Sequence, residues 1–253
     1  MTLFEQFIAR GSFFALLTGV GLVFGGLSSS AWASEAKAVA IESEIVFTPE
    51  GFDDNDNAQV VLDGWLPTSC HQLADPEVKI DAENLMIQVA AQATKEGTFC
   101  LPRATRFTQV VDLGILPYGD YDIVTNNGQL TEPLLVAEAD KAGPDDYQYP
   151  KIDKAYADFA PEYRQVTASR WAVVIEGEYL NSCQEIAEIV VTDSGDTVEV
   201  QPILRSTEAI TCLPVVTPFV TRAPLPDYAT QGRYLLHVRG FDGTAANSVF
   251  TVQ

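Results

Sequence analysis

Four cysteines, two histidines and the acidic run Asp53-Asp54-Asn55-Asp56-Asn57 carry the side chains with the most distinctive chemistry in this sequence. The acidic run has the oxygen ligands of a calcium loop. However, Ala58 and Gly64 stand where such a loop needs a turn-forming glycine and a bidentate glutamate. A solvated acidic turn is expected there. Zinc is disfavoured, because no close Cys-x-x-Cys pair exists and His71 and His237 are the only histidines. His71 follows Cys70 and has the form of a general base, but no nucleophile accompanies it, so a surface histidine is expected. The members of a Ser-His-Asp triad need not be adjacent, and no G-x-S-x-G elbow points to one. P-loops, dinucleotide fingerprints and basic-aromatic nucleic-acid patches do not occur. The expectation is therefore no catalytic residue, no metal ligand and no cofactor.

The cysteines suit a different chemistry. Arg10 precedes an apolar run through Phe24, and Ala31-Trp32-Ala33 closes it with small residues, as in a cleavable signal peptide over residues 1–33. No cysteine follows that site, and the apolar run is short for a stable membrane span. Cys70, Cys100, Cys183 and Cys212 all lie in the mature region, where export favours disulfides over metal or redox roles. The formal net charge of −20 opposes binding to nucleic acid and anionic lipid.

An internal repeat organises the rest. Val60-Val61-Leu62-Asp63-Gly64 aligns with Val173-Val174-Ile175-Glu176-Gly177, Ser69-Cys70 with Ser182-Cys183, and Cys100-Leu101-Pro102 with Cys212-Leu213-Pro214. Phe107 matches Phe219, and Gly119-Asp120-Tyr121 matches Gly232-Arg233-Tyr234. The offset of about 112 to 113 residues is a whole small domain. A duplicated unit should carry its own bond, which selects Cys70–Cys100 and Cys183–Cys212 from three possible connectivities. Each closes a loop of about thirty residues, worth about 3–4 kcal/mol by chain entropy.

Short β-branched runs bounded by glycine, at Gln59–Leu62 and Trp171–Ile175, read as strands. Between Asp75 and Ala91 the alternation of Val78, Ile80, Ile87 and Val89 favours strands over a helix. Tyr121, Ile123 and Thr125, like Tyr234, Leu236 and Val238, alternate with residues of the opposite face, and the tyrosine series should point inward. Asn127-Gly128 and Asp242-Gly243 suit the positive φ of tight turns. The fold class expected is all-β: two tandem immunoglobulin-like β-sandwich domains, one disulfide in each, after a signal peptide. Repeat 1 covers residues 40–138, an acidic Pro/Tyr linker 139–153, and repeat 2 residues 154–253. Tyr147, Tyr149 and Tyr156 are expected to cover the joint between the domains.

The Gly-x-Tyr start of the penultimate strand resembles bacterial secreted immunoglobulin-like and fibronectin-III-like repeats. Antibody-type domains place a cysteine two residues after this tyrosine, whereas Ile123 and Leu236 stand here, so the disulfide must staple another part of the sandwich. The resemblance implies a fold and no specific activity.

Arg233, His237 and Arg239 form a basic stripe beside Leu235, facing away from the inward series. Parity puts them on a solvated face, and as an interaction stripe they would dock on the linker carboxylates Asp140, Asp145 and Asp146 or on a partner. The expected function is an exported, periplasmic or extracellular, non-catalytic binding or structural module that contacts an envelope or extracellular protein or glycan. The alternative is a secreted hydrolase, or an accessory domain of one, with its site in the interdomain cleft.

Overall fold

The computed structural model describes residues 37–161, 170–207, 211–226 and 231–253. The expected signal peptide lies outside the described residues. Repeat 1 runs through β1 (Val39–Ala40), β2 (Ser43–Phe47), β3 (Phe52–Asp53), β4 (Ala58–Leu66), β5 (His71–Asp81), β6 (Met86–Lys95), β7 (Thr105–Gly114), β8 (Gly119–Thr125) and β9 (Leu130–Ala137). Repeat 2 runs through β10 (Lys151–Phe159), β11 (Trp171–Tyr179), β12 (Gln184–Ser194), β13 (Thr197–Ser206), β14 (Thr217–Pro224), β15 (Gly232–Arg239) and β16 (Ala245–Val252). The segment between Asp75 and Ala91 lies in the β5–β6 hairpin, as its period of two requires. The linker ends early, since β10 starts at Lys151.

Each repeat is a β-sandwich. In repeat 1, β2-β4-β7 face a sheet containing β5, β6, β8 and β9; in repeat 2, β10-β11-β14 face β12-β13-β15-β16. The duplication extends to connectivity, because β6 with β8 and β13 with β15 are the parallel pairs at equivalent places. Alternation builds each core. Val60 and Leu62 of β4 meet Ile87, Val89, Tyr121 and Ile123, while Val173 and Ile175 of β11 meet Val198, Val200, Tyr234 and Leu236. The disulfides pair Cys70 with Cys100 and Cys183 with Cys212, each with 5.3 Å between Cα atoms.

The repeated glycines and phenylalanines explain one another. Gly64 pairs with Phe107 across β4 and β7, and Gly177 pairs with Phe219 across β11 and β14. A Cβ on Gly64 would lie 2.8 Å from the Glu42 carbonyl and 2.9 Å from the Phe107 ring, and one on Gly177 would meet the Lys151 carbonyl and the Phe219 ring. The ring covers the bare backbone where a side chain has no room. Gly177→Ala should therefore cost about 1–3 kcal/mol by overpacking, whereas Gly143→Ala, with nothing within 4 Å of its Cβ, should stay within about 0.5 kcal/mol. Urea midpoints of the two variants give the comparison.

Candidate functional site

The residues 36–253 form one compact unit, and the reason is visible on β4 and β15. Both strands are buried on both faces. On β4 the outward residues Gln59, Val61 and Asp63 are as covered as the inward ones, and on β15 the same holds for Leu235, His237 and Arg239. The outer face of β2-β4-β7 packs on the outer face of repeat 2's four-stranded sheet, with Phe47, Val61 and Leu235 all at 0% exposure and Ile45 and Val249 around them. Burial of these large side chains contributes about 1.5–3 kcal/mol each.

Polar groups on both sides of this seam meet partners. Asp63 is wholly buried and accepts from Thr108 Oγ1 at 2.9 Å, from Arg106 Nε at 2.7 Å and from Arg233 Nη2 at 2.6 Å. Arg106 also pairs with Glu44 at 3.0 Å and lies over the Trp65 ring. Next, Asn247 Nδ2 donates to Gln59 Oε1 at 2.9 Å, and Gln59 Nε2 donates to Asp112 Oδ1 at 2.6 Å. These two bonds leave Asn247 Oδ1 as the acceptor for His237 Nδ1, 2.8 Å away. At the far end Arg239 donates to the Gly51 carbonyl and to Asp56 Oδ2 at 3.0 Å, and it covers the Phe52 ring.

The basic stripe is thus an interdomain contact. Arg233, His237 and Arg239 do face away from the tyrosine series, but the expected solvated surface is covered by repeat 1. The carboxylates opposite are Asp63 and Asp56, not Asp140, Asp145 and Asp146. Asp145 instead ties the linker to the 241–243 turn, its carboxylate accepting from the backbone N–H groups of Asp242 (2.8 Å) and Gly243 (2.9 Å). The acidic run is likewise more than a solvated turn. Asp54 accepts from Ala139 N–H at 2.9 Å, Asn55 donates to the Lys141 carbonyl at 2.7 Å, and Asp56 is buried against Arg239. Of the linker tyrosines, Tyr149 is buried at the joint, where burial pushes its hydroxyl up to about 12 against the opposing Arg239 charge. Tyr147 is half exposed, and Tyr156 lies under Lys154 on the outer face of β10.

Burial also sets two protonation states here. Desolvation pushes Glu199 up to about 7, with the Glu50 carboxylate adding to it and Arg239 opposing. Desolvation pushes His237 down to about 4, against the Asn247 hydrogen bond. Their stability contributions have opposite signs. Glu199, raised, contributes fully below about 4.5 and loses that contribution as pH rises toward 7. His237, lowered, contributes fully above about 6.5 and loses it as pH falls toward 4. The two offset one another through mild acid. Glu199→Gln should expose the histidine slope, with stability falling by about 3 kcal/mol between pH 6.5 and 4. His237→Gln should expose the opposite slope as pH rises from 4.5 to 7; urea midpoints across pH measure both.

The disulfide ends carry a second local device. Ser69 N–H donates to the Leu101 carbonyl at 3.1 Å while Ser69 Oγ accepts from Leu101 N–H at 3.0 Å, and Ser182 with Leu213 repeats both bonds at 3.0 Å. The repeated Ser-Cys and Cys-Leu-Pro motifs are therefore a structural staple. The repetition of the serine beside each cysteine was the available signal for it. His71 belongs to this end, its Nδ1 2.8 Å from Thr68 Oγ1, and its counterpart Gln184 accepts from Leu180 N–H at 2.6 Å. Since Asp63 meets Arg233 and Asp56 meets Arg239, β4 and β15 run in opposite directions. The Cys-Leu-Pro loops consequently lie at opposite ends of the molecule. Phe99, Leu101, Leu213, Val215 and Val216 on these loops are exposed.

Open concavities occur away from the seam. One, of about 440 Å³, lies on the outer face of β5, β6 and β8 and is lined by Gln88, Asn126, Asn127 and the ion pair Glu77–Lys79. Another, of about 470 Å³, lies where the linker crosses the disulfide end of repeat 2, lined by Asp146, Tyr147, Asn181, Gln184, Ser206 and Phe241 among others. Within the seam, the space bounded by Phe52, Asp56, His237, Arg239 and Gly243 is only about 10 Å³.

No curated protein and no solved structure matches the sequence. A family model, described as the ORF11 beta-sandwich domain, matches twice, over residues 60–136 and 173–252. The two matches coincide with the two repeats and together cover more than half of the chain, which therefore belongs to the ORF11 beta-sandwich domain family.

Proposed function

We propose that this protein is an exported, non-catalytic binding module that presents one preassembled two-sandwich body to a protein or glycan of the bacterial envelope or cell exterior. The observation that carries the reading is the filled seam. Of the buried carboxylates between the repeats, Asp63 is engaged by Arg106 and Arg233 and Asp56 by Arg239, and burial raises the pKa of Glu199. The space bounded by Phe52, Asp56, His237 and Arg239 is about the size of one water. A hydrolase working in the interdomain cleft would need that seam open. Preassembly lowers the ordering cost of binding, and loops at the two ends and open concavities are the surfaces left for a ligand. Two intradomain disulfides support an oxidising compartment. The resemblance to bacterial secreted immunoglobulin-like and fibronectin-III-like repeats supports the same setting. Among the described residues no helix is long and apolar enough to cross a membrane.

The test is capture from native envelope and culture fluid by the immobilised mature protein, followed by identification of retained proteins and glycans. Saturable, stoichiometric retention without chemical change of the ligand is the expected result. Turnover of an envelope polymer, lost on substituting a carboxylate of this chain, would replace this reading with the hydrolase.

A further inference from the structure

We infer that the concavity at the disulfide end of repeat 2 is a binding site for a neutral oligosaccharide, an assignment that rests on the binding-module reading above and specifies its ligand. The groove holds about 470 Å³, within the range of small-ligand sites. Its polar groups are oriented by the fold. Asn181 Oδ1 accepts from Cys183 N–H at 2.9 Å and Gln184 Oε1 accepts from Leu180 N–H at 2.6 Å. Both oxygens must face these backbone donors, so the two side-chain NH₂ groups are the ends left to donate outward. Asp146 supplies the acceptor, since its carboxylate accepts no hydrogen bond from the described residues, and Ser206 adds a hydroxyl. A carboxylate with two amide donors matches adjacent sugar hydroxyls, each of which donates and accepts.

The apolar complement is present as well. Tyr147 is 50% exposed and Phe241 is 45% exposed, and both line the same groove. An aromatic face receives the C–H-rich face of a pyranose ring, while the hydroxyls at its rim reach the polar groups. The wall is held before any ligand arrives. Asp145 clamps the 241–243 turn, Leu204 N–H donates to the Gln148 carbonyl at 2.7 Å, and Tyr149 packs edge-on to Tyr147. Fixed donors and rigid rings reduce the entropy lost on binding. Charge favours a neutral sugar over a uronate, because the Asp146 carboxylate accepts no hydrogen bond from the described residues while Lys141 beside it is already engaged by the Asp146 carbonyl and one face of the Tyr147 ring. The concavity on repeat 1 lacks an aromatic platform, and its lysine is already paired with Glu77.

Cellotetraose, maltotetraose and chitotetraose would be titrated into the ¹⁵N-labelled mature protein, with trigalacturonate and an acidic peptide as charged controls. At least one neutral tetrasaccharide should shift the side-chain NH₂ signals of Asn181 and Gln184 saturably. Tyr147→Ala with Phe241→Ala should weaken it by about tenfold or more, and Asp146→Ala should weaken it without change of melting temperature. All three side chains are outside the cores, so both variants should retain the wild-type unfolding transition. Absence of shifts with every neutral sugar would overturn the assignment. So would binding indifferent to these substitutions, although a glycan ligand would then still stand under the broader reading. Capture of a protein partner with no sugar response would overturn the glycan assignment alone and leave the binding module intact.

Discussion

Asp63→Ala should destabilise the protein by about 3 kcal/mol, at the low end for a buried ion pair, because it removes a wholly buried acceptor shared by two guanidinium groups whose own side chains keep 25% and 21% of their surface exposed. Asp63 has no exposed surface, and Arg106 and Arg233 approach it from different repeats. Arg106 retains Glu44 and the Trp65 ring, whereas among the described residues Arg233 retains the Thr251 hydroxyl at 3.1 Å. The loss should therefore fall on the contact between repeats. Glu77→Ala removes an ion pair of similar length, 2.7 Å, but both partners are more than half exposed, and a cost of about 0–1 kcal/mol is expected. Urea unfolding of the two variants compares a buried carboxylate with a surface one in the same protein.

Removing either disulfide should cost about 2–5 kcal/mol, with Cys183→Ala and Cys212→Ala together, or Cys70→Ala and Cys100→Ala together. The separations of 30 and 29 residues give nearly equal loop entropies, so the two effects should differ by less than about 1 kcal/mol. The serine staple beside each bond survives the substitution and holds the loop only weakly, as ordinary hydrogen bonds do. Because the repeats share the buried seam, loss of either bond should lower the midpoint of the whole molecule rather than melt one repeat first. Chemical denaturation followed by tryptophan fluorescence and by far-ultraviolet circular dichroism should give superimposable curves in both variants.

Much of the fold could be read from local pattern. The ordered matches between Val60-Val61-Leu62-Asp63-Gly64 and Val173-Val174-Ile175-Glu176-Gly177 placed equivalent strands, and two cysteines per copy fixed the pairing. Alternation told which side of Tyr121-Asp122-Ile123 is the core, and Asn127 and Asp242 take the left-handed φ values of 56° and 60° that their turns require. What alternation cannot say is whether the other face meets water or protein. Arg233, His237 and Arg239 have the composition of a solvated face, and their burial depends on Asp56, Gln59 and Asp63, more than a hundred residues away. Leu235 among the cations and Val61 between Gln59 and Asp63 were the hints, since each puts a large apolar side chain on a face otherwise polar.

The groove on repeat 2 was less legible for a related reason. Its walls come from the linker, the β11–β12 turn, the end of β13 and the 241–243 turn, which only tertiary structure brings together. Nothing in the local sequence marks Asn181 or Gln184 as oriented donors, because their orientation is imposed by the N–H groups of Cys183 and Leu180. The Tyr147-Gln148-Tyr149 segment was visible as aromatic, but its division into one buried and one exposed ring follows from how Asp145 seats the linker.

The two repeats should unfold as one body, held by the seam built on Phe47, Val61, Asp63, Arg233 and Leu235. Differential scanning calorimetry of the mature, oxidised protein tests this most directly. A single endotherm whose van't Hoff enthalpy equals its calorimetric enthalpy is the predicted result. Two separable transitions, each carrying about half of the total enthalpy, would contradict it, showing that the repeats are independent domains and that the seam contributes little.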